Sequence, residues 1–176
     1  MSGHNKWSKI KRQKEKTDSQ KSKIFGKMVR LITVEAKKAL GNINSPGLKN
    51  AIAKAKEFNV PNDNIERAIK KFSEGGEVME TIVYEAYGPG GCAIVIEALT
   101  ENRNKAAQEI KFILSKNGYA LAGMGSVTWA FSHIPGGEWI AQSTISLSDE
   151  DGEKLSTLVD ELEENDEVQD VYTNAE

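Results

Sequence analysis

The 176-residue chain has one cysteine, two histidines, four prolines and few aromatic residues, at 7%. A single Cys92 excludes an intramolecular disulfide framework and any cysteine-rich zinc module, and it suits a reducing compartment. With only His4 and His133, imidazole-based metal centres and relay pairs have little to draw on. No apolar run approaches the roughly 18 residues that span a bilayer. The lysine-rich N-terminus lacks the apolar segment of a secretory signal. HExxH, GxSxG and Cys/His metal spacings are missing, and no spacing among the 26 carboxylates singles out an acid/base pair. These absences predict a cytoplasmic, non-enzymatic protein with no cofactor, no metal, no small-molecule substrate and no membrane partner.

What is present is charge, unevenly placed. Residues 1–76 hold 18 Lys/Arg and 7 Asp/Glu, a net of +11, whereas residues 77–176 hold 5 and 19, a net of −14. The formal total of −3 hides this division, and a polyanion responds to the local field. Lys6, Lys9, Lys11, Arg12, Lys14, Lys16, Lys21, Lys23, Lys27 and Arg30 place ten cations in 25 residues, opposed by Glu15 and Asp18 alone. Such a segment binds phosphate backbones by releasing condensed counterions. Trp7 adds a ring that can stack on an unpaired base, and His4 a further donor. Placed third after Ser2-Gly3, His4 also fits a square-planar copper or nickel site if Met1 is removed; a phosphate-facing donor is the better reading. A solvated tail with Trp7 packed inward is the plain alternative, weakened by the density of unopposed charge.

Three parts are expected: a basic arm over residues 1–18, a helical domain over 19–76 and an α+β domain over 77–176, divided at Gly75-Gly76. In the second part, Ile24, Phe25, Met28, Leu31, Ile32, Ala36, Ala39 and Leu40 share a helical face that Gly41 ends. Ser45-Pro46 starts a second helix, with Leu48, Ala51, Ile52 and Ala55 inward. Pro61-Asn62-Asp63 starts a third, with Ile65, Ala68, Ile69 and Phe72 as its buried edge. The third part begins with a strand over Thr81–Tyr87, a Gly88-Pro89-Gly90-Gly91 turn and an Ile/Val-rich strand over Cys92–Leu99. A helix capped by Asn102 follows, then strands over Ser126–Phe131 and Glu138–Leu147, a helix capped by Ser148 or Asp149, and a strand over Val168–Thr173. From Cys92 onward the order is β-α-β-β-α-β, that of a ferredoxin-like unit, with the earlier strand as an extra leading one.

Two further segments invite an anion. Gly88–Gly91 could cradle one with backbone N–H groups, but it lacks the Lys-Ser/Thr ending of a nucleotide loop and reads better as a hairpin turn. Asn102, Arg103, Asn104 and Lys105 lie at a helix N-terminus, where a secondary anion site and an ordinary cap are evenly matched. Cys92, opening an apolar strand, reads as a small buried hydrophobe.

Several segments together resemble the YebC/PmpR family, whose mitochondrial relative is the translational activator of cytochrome c oxidase subunit one. They are Gly3-His4-Asn5-Lys6-Trp7-Ser8-Lys9-Ile10-Lys11, Tyr84–Gly91, Thr100–Asn104, Gly125–Phe131 and Val171–Asn174. The resemblance implies a helical N-terminal domain, α+β domains behind it and a role in gene expression. Members are commonly described as DNA-binding transcriptional regulators, and others are associated with the ribosome and with translation of proline-rich stretches. Family members usually carry a further α+β domain after the strand matching Ser126–Phe131; here only Ser132–Ile140 separates that strand from the next, so the insert is absent. Two readings stay open: a transcription regulator on duplex DNA, or a translation factor whose arm docks on ribosomal RNA. No helix presents an obvious base-reading set of Arg, Asn and Gln, so any specificity on DNA is low or indirect.

Overall fold

A computed structural model describes residues 18–74, 78–134 and 138–176. These form two compact units, one holding the helices up to residue 78 together with Ile134 and Glu138, the other comprising 79–133 and 139–176.

The helical unit has three helices, α1 (Asp18–Lys38), α2 (Pro46–Glu57) and α3 (Asn62–Lys70). Their apolar stripes meet in one core of Met28, Ile32, Ala36, Leu48, Ala51, Ala55, Val60, Ile65 and Ala68. Ser45 caps α2, its Oγ accepting from the Leu48 N–H at 3.4 Å, with Pro46 in the first turn. Two details differ from expectation. The residue that turns α1 off is Leu40, at φ +50°, one place before Gly41. The Gly41 N–H bonds to the Ala36 carbonyl and the Leu40 N–H to that of Lys37, the paired bonds of a helix-ending loop whose left-handed site usually holds glycine. Leucine there points outward and is 81% exposed, not inward as its apolar character predicts. Phe72 lies beyond α3 in the helical turn Lys71–Ser73 and is partly exposed. Its ring lies against Gly41, where a Cβ would come within 2.6 Å of it, so a side chain there, strained already by φ +76°, would have to displace the ring.

The second unit is built on a hairpin. Strands β1 (Glu80–Tyr87) and β2 (Ala93–Thr100) pair antiparallel from Glu80 opposite Thr100 to Tyr87 opposite Ala93. The turn between them needs positive φ at Gly90 and Gly91. Helix α4 (Arg103–Lys116) starts at the Asn102 cap, whose Oδ1 accepts from the Lys105 N–H. Then come β3 (Leu121–Ala122), β4 (Phe131–His133), β5 (Trp139–Ala141), α5 (Asp149–Glu164), capped by Ser148, and β6 (Val168–Thr173). The main sheet has the order β3-β1-β2-β6, every pairing antiparallel. The architecture is α+β. The β-α-β-β-α-β order from β2 onward holds with β3 added, but the middle strands β4 and β5 form a separate two-stranded sheet.

β2 is buried on both sides. Ile94, Ile96 and Ala98 face α4 and α5 through Ile110, Leu114, Leu155, Leu158 and Leu162. Ala93 and Val95 face Val127, Ala130, Phe131 and the β4–β5 hairpin. Two sequence expectations fail here. Ser126–Phe131 is not a strand: Thr128–Ala130 is a tight helical turn, and pairing starts only at Phe131. The strand expected over Glu138–Leu147 ends at Ala141, because the Gln142 and Ser143 N–H groups both turn onto the Ala130 carbonyl. Beyond it Ile145 bridges to Ala175.

Asn174 ties these pieces together. Its Oδ1 accepts from the Ala93 N–H at 2.7 Å, and its Nδ2 donates to the Ser143 carbonyl at 2.9 Å. Removing a buried side chain with two such bonds leaves a donor and an acceptor unmatched. Asn174→Ala is expected to lower stability by about 2–3 kcal/mol in urea unfolding; a change below about 0.5 kcal/mol, the ordinary range of surface substitutions, would contradict this role.

Candidate nucleic-acid interface

The sequence places its candidate contacts in two groups. His4, Lys6, Trp7, Lys9, Lys11, Arg12, Lys14 and Lys16 lie outside the described residues. Lys21, Lys23, Lys27 and Arg30 lie on α1. Lys23, Lys27 and Arg30 stand at i, i+4 and i+7 and so share one stripe of the helix, while Lys21 falls on another side. Lys21 and Lys23 are exposed and Arg30 half-buried. Lys27 departs from the expectation of a phosphate-facing cation, being only 8% exposed.

More cations line the same unit than that selection included. Residues 18–74 hold twelve Lys/Arg and six Asp/Glu, and Lys49, Lys56, Lys70 and Lys71 are exposed. The signal that finds them is the regional charge count, which does not depend on helix position. Lys38 is held by Glu35 at 3.0 Å. Arg67 bonds to Asn64 Oδ1 and the Asp63 carbonyl within α3.

The segment Asn102–Lys105 is a helix cap with its cations engaged. Arg103 Nε lies 3.3 Å from Glu80 Oε2, and Lys105 Nζ lies 3.1 Å from Glu167 Oε1. The Glu167 carboxylate raises the Lys105 pKa. An incoming anion would have to compete with both carboxylates. Gly88–Gly91 is the hairpin turn, the Gly88 N–H bonding to the Cys92 carbonyl. Cys92 is buried, and burial pushes its thiol up to about 12, which leaves it unreactive at neutral pH.

Two carboxylates that sequence reasoning passed over organise the side of the sheet covered by Val127, Ala130, Phe131 and the β4–β5 hairpin. Glu85 is 5% exposed. Its Oε1 accepts from the Gly125 N–H at 2.7 Å, and its Oε2 from the Val127 and Thr128 N–H groups at 2.8 and 3.0 Å. Burial raises its pKa, but the N–H groups of Val127, Gly125 and Thr128 together outweigh it, so the carboxyl stays below its ordinary value. Glu97 accepts from Trp139 Nε1 at 2.7 Å, with His133 Nε2 3.7 Å away. The His133 and Trp139 rings stack at 4.3 Å, and burial lowers the His133 pKa. Neither carboxylate was legible, since each acts on residues some forty positions away. Among the described residues no cluster of three or more His, Cys, Asp or Glu is placed to hold a metal ion. No described helix is long and apolar enough to cross a membrane.

Comparison with known proteins agrees with this architecture. The family model of the TACO1/YebC N-terminal domain matches residues 5–75. That of the TACO1/YebC second and third domain matches 79–135 and 136–175. A "probable transcriptional regulatory protein" of Thermoanaerobacter pseudethanolicus is 37% identical over 239 aligned positions, spanning all of this chain and 97% of its own. Since this chain has 176 residues, the relative carries residues with no counterpart here. A protein of the same description from Fervidobacterium nodosum is 50% identical over 153 positions, 85% of this chain and 60% of that one. The crystal structure of a conserved hypothetical protein from Aquifex aeolicus superposes with a TM-score of 0.81 at 29% identity, covering 97% of this chain and 96% of that one. With both family models matched and the fold shared, this chain belongs to the TACO1/YebC family.

Proposed function

We propose that this protein is a non-enzymatic, nucleic-acid-binding regulator of gene expression that acts on DNA in the cytoplasm. The observation that carries the reading is the division of charge, +11 over residues 1–76 and −14 over the remainder. The cations of residues 1–30, apart from the buried Lys27, grip phosphates, and the exposed lysines of the helical unit extend the positive field. The acidic unit carries the opposite charge and is read as the body that meets other partners. Its family relatives named as transcriptional regulatory proteins support the same reading. Because no helix among the described residues offers a base-reading set of side chains, phosphate contacts dominate and selectivity comes from DNA shape.

The test is binding of the full chain to duplex DNA across a salt series, with Lys9, Lys11 and Arg12 replaced together by alanine. Loss of three phosphate contacts is expected to reduce the log–log salt slope by about 2–3 and to weaken binding at every salt concentration. An unchanged slope would remove these three from the interface. Co-sedimentation with ribosomes, without retention on DNA, would replace transcription by translation as the process served.

A further inference from the structure

We infer that the Phe72 ring is a stacking platform for an unpaired base of single-stranded nucleic acid, with Lys70 and Lys71 placed for its flanking phosphates. The inference rests on the reading of this chain as a nucleic-acid binder, and it names the form of nucleic acid that the helical unit takes.

The ring is exposed and yet held. Phe72 follows α3 in the turn Lys71–Ser73 and stays 39% exposed, outside the core of the helical unit. A Cβ on Gly41 would stand 2.6 Å from ring carbon Cε1 and 2.8 Å from both carbons bonded to it, Cδ1 and Cζ. An edge-on approach would leave those two clearly farther off than Cε1, so the glycine backbone lies over a face of the ring. The exposed part of the ring is what the glycine does not cover. The loop behind it is closed by its own bonds. The Gly41 N–H donates to the Ala36 carbonyl at 2.9 Å, the Asn42 N–H to that of Ala39 at 3.0 Å, and the Asn44 N–H to Asn42 Oδ1 at 3.0 Å. The turn that carries the ring is closed too, the Ser73 hydroxyl donating to the Lys70 carbonyl at 3.3 Å and the Glu74 N–H to that of Lys71 at 3.1 Å. A ring fixed in advance loses little freedom when a ligand covers it.

Charge names the ligand. Within four residues of Phe72 or of Gly41 the charged residues are Lys37, Lys38, Lys70, Lys71 and Glu74. Lys38 is taken by Glu35. Lys37, Lys70 and Lys71 pair with no carboxylate among the described residues, and Lys70 and Lys71 are exposed. A bare ring beside unpaired ammonium groups matches a nucleotide, whose base offers a flat face and whose phosphates are anionic. In a duplex each base is already covered on both faces, and reaching one means breaking the stack. An unpaired base offers its face without that cost. Thymine and uracil present the same flat face, so single-stranded DNA and RNA meet the site through one chemistry. Leu40, turned outward at φ +50° beside Gly41, adds apolar surface in the same loop.

The test uses the full chain with an oligothymidylate, an oligouridylate and a duplex of the same length. Phe72→Ala is expected to weaken binding to one or both single strands by at least about fivefold, the lower end of what one stacked base contributes, and to leave the duplex within about twofold. The strand that suffers identifies the source of the base. The log–log salt slope should stay as in wild type, since no charge is removed. Phe72→Trp keeps a stacking face and should retain the affinity. Replacing Lys70 and Lys71 together by alanine should instead flatten the single-strand slope by about 1–1.5. A second measurement needs no variant: an oligonucleotide carrying 5-iodouracil should photocrosslink to Phe72. Unchanged single-strand binding in Phe72→Ala, an equal loss on single strands and duplex, or a crosslink that falls only elsewhere overturns the inference. If the wild type binds duplex DNA and no single strand, this inference alone fails; if it binds no nucleic acid, the proposed function fails with it.

Discussion

Glu85→Ala is expected to lower the stability of the second unit by about 3–5 kcal/mol. One carboxylate satisfies the N–H groups of Gly125, Val127 and Thr128. Alanine leaves all three without their acceptor, and the Val127 N–H lies in a buried setting. An unsatisfied buried group costs about 1–3 kcal/mol, and bonds to a charged acceptor are the stronger kind. The loop they fix carries Val127 and Ala130 into the core beside Val95, so its release also loosens that packing. Urea unfolding is the measurement; a loss below about 1 kcal/mol would mean that water or another acceptor takes over. The same carboxylate makes stability depend on pH. Its folded pKa lies below the ordinary 4.5, so the native state binds the proton more weakly than the unfolded chain. The contribution is therefore complete above the unfolded value and is lost as pH falls through the folded one. Acid unfolding should begin at higher pH in wild type than in a variant that never had this contribution to lose, once their neutral-pH stabilities are matched.

Removing residues 1–17 is expected to have the largest functional effect. It takes away six Lys/Arg and one Glu. Six lost phosphate contacts would flatten the log–log salt slope by about 5, corresponding to a loss of roughly a hundredfold or more in affinity near 0.15 M salt. The described core residues of both units are all retained in the shortened chain, so both units are expected to keep a cooperative thermal transition. Retained affinity with an unmoved slope would transfer the phosphate contacts to the exposed lysines of α1, α2 and α3 alone.

Features set by neighbours in sequence were legible from sequence. Ser45-Pro46, Asn102 and Ser148 mark helix starts through local hydrogen bonds, and all three cap their helices. The Ile/Val run of β2 reads as a strand because both its faces are buried. Reasoning failed where a distant group decides. Val127, Trp129 and Phe131 alternate as a strand would, yet Glu85, on β1, captures the backbone N–H groups that a ladder would use and turns Trp129 outward. Leu40 is apolar and in phase with α1, but the helix ends on it, and a left-handed leucine cannot reach the core. The same division holds for function. The charge of residues 1–30 is a property of composition and needs no structure. The bond between Glu97 on β2 and Trp139 on β5 arises only through tertiary pairing, which no periodicity reveals.

The β4–β5 hairpin has a broader consequence. Its strands run antiparallel, and just beyond them the Ile134 N–H bonds to the Glu138 carbonyl at 3.1 Å. Chain that leaves β4 therefore returns to β5 at almost the same point. The two matched portions of the second family model meet between residues 135 and 136, at this doorway. A module whose own ends lie close together can be spliced in or excised there without shifting β2 or the helices behind it, and lengthening the connection twofold adds only about 0.6 kcal/mol of closure entropy. The lineage could thus trade a whole lobe for a connection of a few residues and keep the rest of its machinery in register.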